Sequence, residues 1–128
     1  MKRSTKRYLA IGLVILATVA AVVLANPLRR SENHIKGQLL QRAPLGTSMT
    51  DVQQLIESKG WVVSDYRDDV GFYDQRTAPY TIVGKKHIRA ELGSYQDIPF
   101  RAYVTVFWGF DERSRLIDLW VWKTWDGL

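Results

Sequence analysis

From Tyr8 to Ala25 the chain reads YLAIGLVILATVAAVVLA, eighteen residues without a charge. Coiled as an α-helix at about 1.5 Å per residue, that run spans roughly 27 Å, close to the hydrocarbon thickness of a bilayer. Lys2, Arg3, Lys6 and Arg7 stand just before it. A positive flank stays on the cytoplasmic side while the apolar run enters the membrane. Everything after Asn26 is therefore expected to be delivered to a membrane or across one. The divisions that follow are a basic cytoplasmic N-terminus over 1–7, a transmembrane anchor over 8–25, a linker over 26–30 and a small domain over 31–128.

The same physics serves an uncleaved anchor and a cleaved signal peptide. Val23-Leu24-Ala25 offers small residues for cleavage, but Pro27 follows closely and the apolar run exceeds the usual 7–15 residues of a cleavable signal. Arg29 and Arg30 then supply a polar stop. This favours a single-pass protein of a bacterial inner membrane with its domain in the periplasm; cleavage and release into the periplasm is the alternative. The absence of cysteine fits an envelope protein that needs no disulfides, and it removes both thiol chemistry and acylation at an N-terminal cysteine.

Charge excludes a further class. The whole chain carries 18 basic against 13 acidic residues, but four of the basic ones lie in the first seven positions. From Ala43 onward there are 10 basic and 12 acidic residues. A nucleic-acid interface needs a basic face on the domain, and that surplus is missing.

Beyond the span, Asn26-Pro27 breaks the helix because proline removes a donor and restricts its predecessor. Ser31 is placed to cap a helix over SENHIKGQLLQ, with Ile35, Leu39 and Leu40 on one stripe. Pro44 ends it. Ser48 with Asp51 caps a second helix, in which Met49, Val52, Leu55 and Ile56 form the buried face and Gly60 the stop. Trp61-Val62-Val63 opens a strand that fades into SDYRDD, and Val70 to Tyr73 continues it after a turn. Gln75 to Pro79 reads as loop. Lys85 to Leu92 alternates, with Ile88, Ala90 and Leu92 on one face and His87, Arg89 and Glu91 on the other. Gly93 to Pro99 reads as another loop.

Phe100 to Phe110 and Arg115 to Trp125 form a closing hairpin across Asp111-Glu112-Arg113-Ser114. With Phe110 opposite Arg115, one face carries Phe100, Ala102, Val104, Val106, Trp108, Phe110, Ile117, Leu119 and Val121. The other carries Arg101, Tyr103, Thr105 and Phe107 beside Trp122, Trp120 and Asp118. Two helices followed by three or four antiparallel strands bury a core by laying the helical pair on one sheet face. The expected fold class is therefore α+β, a transmembrane helix followed by a two-layer domain.

Gly46-Thr47-Ser48-Met49-Thr50-Asp51-Val52 resembles the "G-x-T/S-x-x-E/D-V" helix start of the SmpA/OmlA (BamE-like) proteins. Phe110-Asp111-Glu112-Arg113-Ser114-Arg115-Leu116 is similar to their strand-turn-strand ending, and the β-lactamase inhibitor protein has the same element order. The resemblance runs from about Leu39 to Val121. It implies a non-enzymatic envelope module that binds other proteins, or sometimes lipid, through its sheet and loops. The chain departs from that pattern in lacking the acylated cysteine and in carrying Ser114 near the place of a last-turn glycine.

The candidate partner-binding residues are Tyr103, Phe107, Trp120 and Trp122, aromatic on a face that should be polar, with Arg89 and Arg101, and beside them His87 and Glu91, as their polar rim. A segment such as Gln75 to Tyr80 folding over them is the competing expectation. Asp65, Asp68, Asp69 and Asp74 cluster without the spacing of a calcium loop, and His34 and His87 accompany no nucleophile motif. Both histidines read as surface residues. Lys85-Lys86-His87-x-Arg89 reads as a charged strand that discourages edge pairing, with contact to anionic headgroups or phosphate as the alternative. No catalytic residue, metal, cofactor or small-molecule substrate is indicated. A small inhibitor or immunity-type protein acting through the loop from Asp65 to Tyr80 is the second functional expectation.

Overall fold

The computed structural model describes residues 2–24 and 26–127. Helix α1, Lys2–Leu24, contains the apolar run; the last residue of the expected span, Ala25, lies outside the described residues. Its most apolar stretch, Ser4–Ala21, has a mean hydropathy of 1.3 and none of it is buried within the protein. This helix is long and apolar enough to cross a membrane or to act as a signal sequence.

A single 3-10 turn over Pro27–Arg29 follows, closed by the Asn26 side chain accepting from the Leu28 amide. Helix α2 spans Glu32–Arg42, and the Ser31 hydroxyl accepts from the His34 amide at its start. Helix α3 spans Met49–Ser58, capped in the same manner by Ser48 at the Asp51 amide. Each cap satisfies an amide that the first helical turn leaves without an acceptor.

Six strands complete the domain: β1 Val62–Arg67, β2 Phe72–Asp74, β3 Thr81–Val83, β4 Lys86–Asp97, β5 Phe100–Phe110 and β6 Leu116–Trp125. Four of them make an antiparallel sheet in the order β1-β4-β5-β6; β2 and β3 pair only with each other. Helix α2 lies along β6 and α3 beside β1. Ile35, Leu39, Met49, Val52 and Ile56 of the helices meet Ile88, Ala90, Val104, Val106, Trp108, Leu119 and Val121 of the sheet in one core. Trp61 stacks on Trp108 with ring centroids 6.4 Å apart. The expected α+β class and the helical pair on one sheet face are observed.

Several local expectations are corrected. Gly93 to Pro99 is not a loop: β4 runs on to Asp97 and turns directly into β5, with Asp97 opposite Phe100. A register shift at Leu92, with Gly93 at φ 139°, interrupts the alternation there and disguises the strand. The β5–β6 register places Phe107 opposite Trp120 and Trp108 opposite Leu119, two residues along from the expected pairing. Side chains alternate with period two, so this slip preserves both faces. A second shift beside Phe110 turns Leu116 into the core and leaves Ile117 43% exposed; Phe100, near the other end, is also exposed. Val70 to Tyr73 does not extend β1, because β2 leaves the sheet to pair with β3. Lys85 to Arg89 is no edge guard, since β4 lies between β1 and β5.

Candidate functional site on the outer face of the sheet

The β2–β3 hairpin crosses the sheet face that the helices leave open. Its base must pass very close to other backbone. A Cβ at Gly71 would run into the carbonyl oxygens of Val83 and Gly84. On β5, a Cβ at Gly109 would stand 2.8 Å from the Phe72 ring. Glycine at both positions lets the hairpin lie flat on the sheet.

Phe72 thereby enters the aromatic row predicted from the alternation of β5 and β6. Its ring centroid lies 5.7 Å from that of Phe107 and 6.5 Å from that of Trp120. Phe107 stacks on Trp120 at 5.0 Å, and Trp120 on Trp122 at 5.2 Å. Under this cover Phe107 is 8% and Trp120 5% exposed, whereas Trp122 is half-buried and Tyr103 is 41% exposed. The four aromatic candidates share one face, but only Trp122 and Tyr103 present substantial surface. The cover extends beyond the expected Gln75 to Tyr80 and comes chiefly from Phe72 and Val83.

Charged groups fasten the hairpin. Arg76 donates to Asp74 at 2.8 and 2.9 Å, stacks its guanidinium over Trp120 at 5.6 Å and reaches Asp118 of β6 at 3.6 Å. From the helix side, Lys36 reaches the same Asp118 at 3.1 Å around the edge strand. The Arg76 hydrogen bonds hold the Asp74 carboxyl below the ordinary carboxylate range and raise Arg76 in turn.

A cavity of about 240 Å³ opens beside the hairpin, between Asp65, Tyr73, His87, Arg89, Phe107 and Trp122. His87 is buried, not a surface residue. Its Nδ1 lies 2.9 Å from the Val70 carbonyl and its Nε2 3.0 Å from Asp65 Oδ2. These two contacts tie β1 and the hairpin's root to β4. His34 is exposed on α2. Arg89 lies over the Phe107 ring at 5.4 Å, with a terminal nitrogen 3.5 Å from Glu91. Arg101 donates to Ser94 at 2.9 Å, near the open end of the face.

Three of the four acidic side chains of the cluster, Asp68 being the exception, are drawn to separate basic partners. Asp65 meets His87, Asp69 meets Arg67 at 2.9 and 3.0 Å, and Asp74 meets Arg76. Arg67 lowers the Asp69 carboxyl through those hydrogen bonds. Among the described residues no three His, Asp or Glu side chains converge as a metal site would require. Phe72, Val83 and Arg76 are site residues that sequence reasoning missed; it placed His87 on this face but missed its burial. Gly71 and Gly109, flanking short apolar stretches, were the available signal.

Comparison with protein-family profiles, with curated proteins and with solved structures finds no match.

Proposed function

We propose that this chain is a membrane-anchored, non-catalytic protein-binding module of a bacterial envelope, its domain held on the periplasmic side by α1. The working surface is the open half of the outer sheet face together with the hairpin laid across it. The observation that carries this reading is a set of exposed aromatic and apolar side chains beside one cavity: Tyr73 and half-buried Trp122 line it with Arg89, exposed Ile82 pairs with Tyr73, and exposed Tyr103 lies one same-face step along β5 from Thr105, the residue paired with Trp122. Aromatic and arginine side chains are what protein interfaces concentrate, and an exposed apolar group of this extent on a small domain needs a use. The resemblance to the SmpA/OmlA proteins points to the same class, a module that works by contact.

The exposed hairpin supports a second reading, a small inhibitor or immunity-type protein that inserts residues 65–80 into an enzyme. Photo-crosslinking in intact cells, with the probe at Tyr103, at Tyr73 or at exposed Asp51 on α3, separates the two. Adducts of Tyr103 and Tyr73 to one discrete envelope protein are expected, lost on Arg89→Glu, with none from Asp51. Adducts from Tyr73 alone would shift the reading to the inhibitor. Equal capture from all three positions, or from none, would overturn both.

A further inference from the structure

On the opposite side of the sheet from the aromatic face, a cavity of about 350 Å³ opens at the end of the domain that joins α1. Its size falls within the range of small-molecule sites, about 300–1,000 Å³. Leu28, Ile35, Leu39, Trp61 and Leu92 supply apolar wall, and the two charged residues that line it, Arg42 and Lys59, are both cations. Both are exposed, and neither has an ionic partner among the described residues.

The position of the cavity is set by covalent connection. Asn26 and Pro27, the second and third residues after the end of α1, are part of its lining. A chain extends by at most about 3.6 Å per residue, so this wall stands within about 10 Å of the end of the apolar helix. The linker is also fixed to the domain. Arg29 donates to the Gln96 carbonyl at 2.7 Å and lies over Tyr95 at 5.0 Å, while the Lys123 ammonium donates to the Arg30 carbonyl at 2.6 Å.

We infer that this cavity takes an acyl chain of an anionic membrane lipid, with Arg42 and Lys59 at its phosphate. The inference rests on α1 lying in a bilayer and is independent of the outer face. An apolar slot matches an alkyl chain, and two cations at a bilayer surface favour an anionic over a zwitterionic headgroup.

The test uses the full chain in phosphatidylcholine nanodiscs containing a minor fraction of phosphatidylglycerol brominated on one acyl chain, with tryptophan fluorescence as readout. Quenching is expected in the native chain and not in Trp61→Phe. Combining Arg42→Glu with Lys59→Glu, both on exposed positions, should weaken it by about tenfold or more. Equal quenching in the native chain and Trp61→Phe would overturn the proposal. So would equal quenching of Trp61 when the bromines are carried by phosphatidylcholine. A soluble brominated fatty acid added to unlabelled discs is the final arm. Quenching of Trp61 by that acid, with none by the brominated phosphatidylglycerol, would assign the cavity to a free fatty acid and overturn the bilayer source.

Discussion

The two faces of the sheet are buried by different means. The inner face is covered by α2 and α3, and its core is aliphatic and aromatic, with the buried Lys123 ammonium bonded beside it to the Tyr95 hydroxyl and the Arg30 carbonyl. The outer face is covered over part of its area by a hairpin of two three-residue strands, and its core is Phe72, Phe107 and Trp120. Salt links and stacked cations hold that second cover in place. A cover made of few apolar contacts and ion pairs open to solvent on one side opens at lower free energy than the main core. The comparison teaches that the inner face defines the fold, while the outer one is only conditionally closed.

The largest expected effect lies on the inner face. Trp108→Ala empties a fully buried site against Trp61 and should cost about 3–5 kcal/mol in denaturant unfolding, a large share of the stability of a domain this small. Phe72→Ala removes a ring that is almost equally buried, 1% exposed, yet should cost less, about 2–3 kcal/mol, because the hairpin can detach while the sheet stays folded. An equal loss for both would break the distinction between the faces. Gly109→Ala should push Phe72 outward at about 1–3 kcal/mol and expose Trp120, read as a red shift and easier acrylamide quenching of its fluorescence.

Acid sharpens the same contrast. Because Arg76 holds Asp74 below its ordinary value, the folded state binds that proton less readily than the unfolded chain. The contribution is complete above the unfolded value of about 4 and is lost as pH falls through the lower folded value. Hairpin contacts should therefore loosen in acid before the inner core does, and Asp74→Asn should remove that acid-side component, as Trp120 fluorescence followed against pH would show. The smallest effect belongs to Lys36→Ala. Its pair with Asp118 is about two-thirds buried at each end, and its loss should cost no more than about 1 kcal/mol.

What was legible in the sequence follows the same division. The caps at Ser31 and Ser48, the stripe of Val52 and Ile56 and the alternation from Ala102 to Phe110 depend on neighbours a few residues apart, so the helices and the inner face could be read directly. The aromatic outer row came from the same alternation and survived a register two residues off. Its cover did not. Phe72-Tyr73-Asp74 and Thr81-Ile82-Val83 are too short to show a period, and the contact of Phe72 with Gly109 is long-range. Burial of His87 depends likewise on Val70 and Asp65, neither on its own strand.

The most direct test of the conditional outer face is amide hydrogen exchange on the full chain, comparing residues 72–74 and 81–83 with 104–108. The account predicts that the hairpin amides exchange through a local opening, faster than those of β5, and that Phe72→Ala accelerates the first set while leaving the second nearly unchanged. A single common exchange free energy for both sets, shifted together by Phe72→Ala, would contradict it and make the hairpin part of the same core.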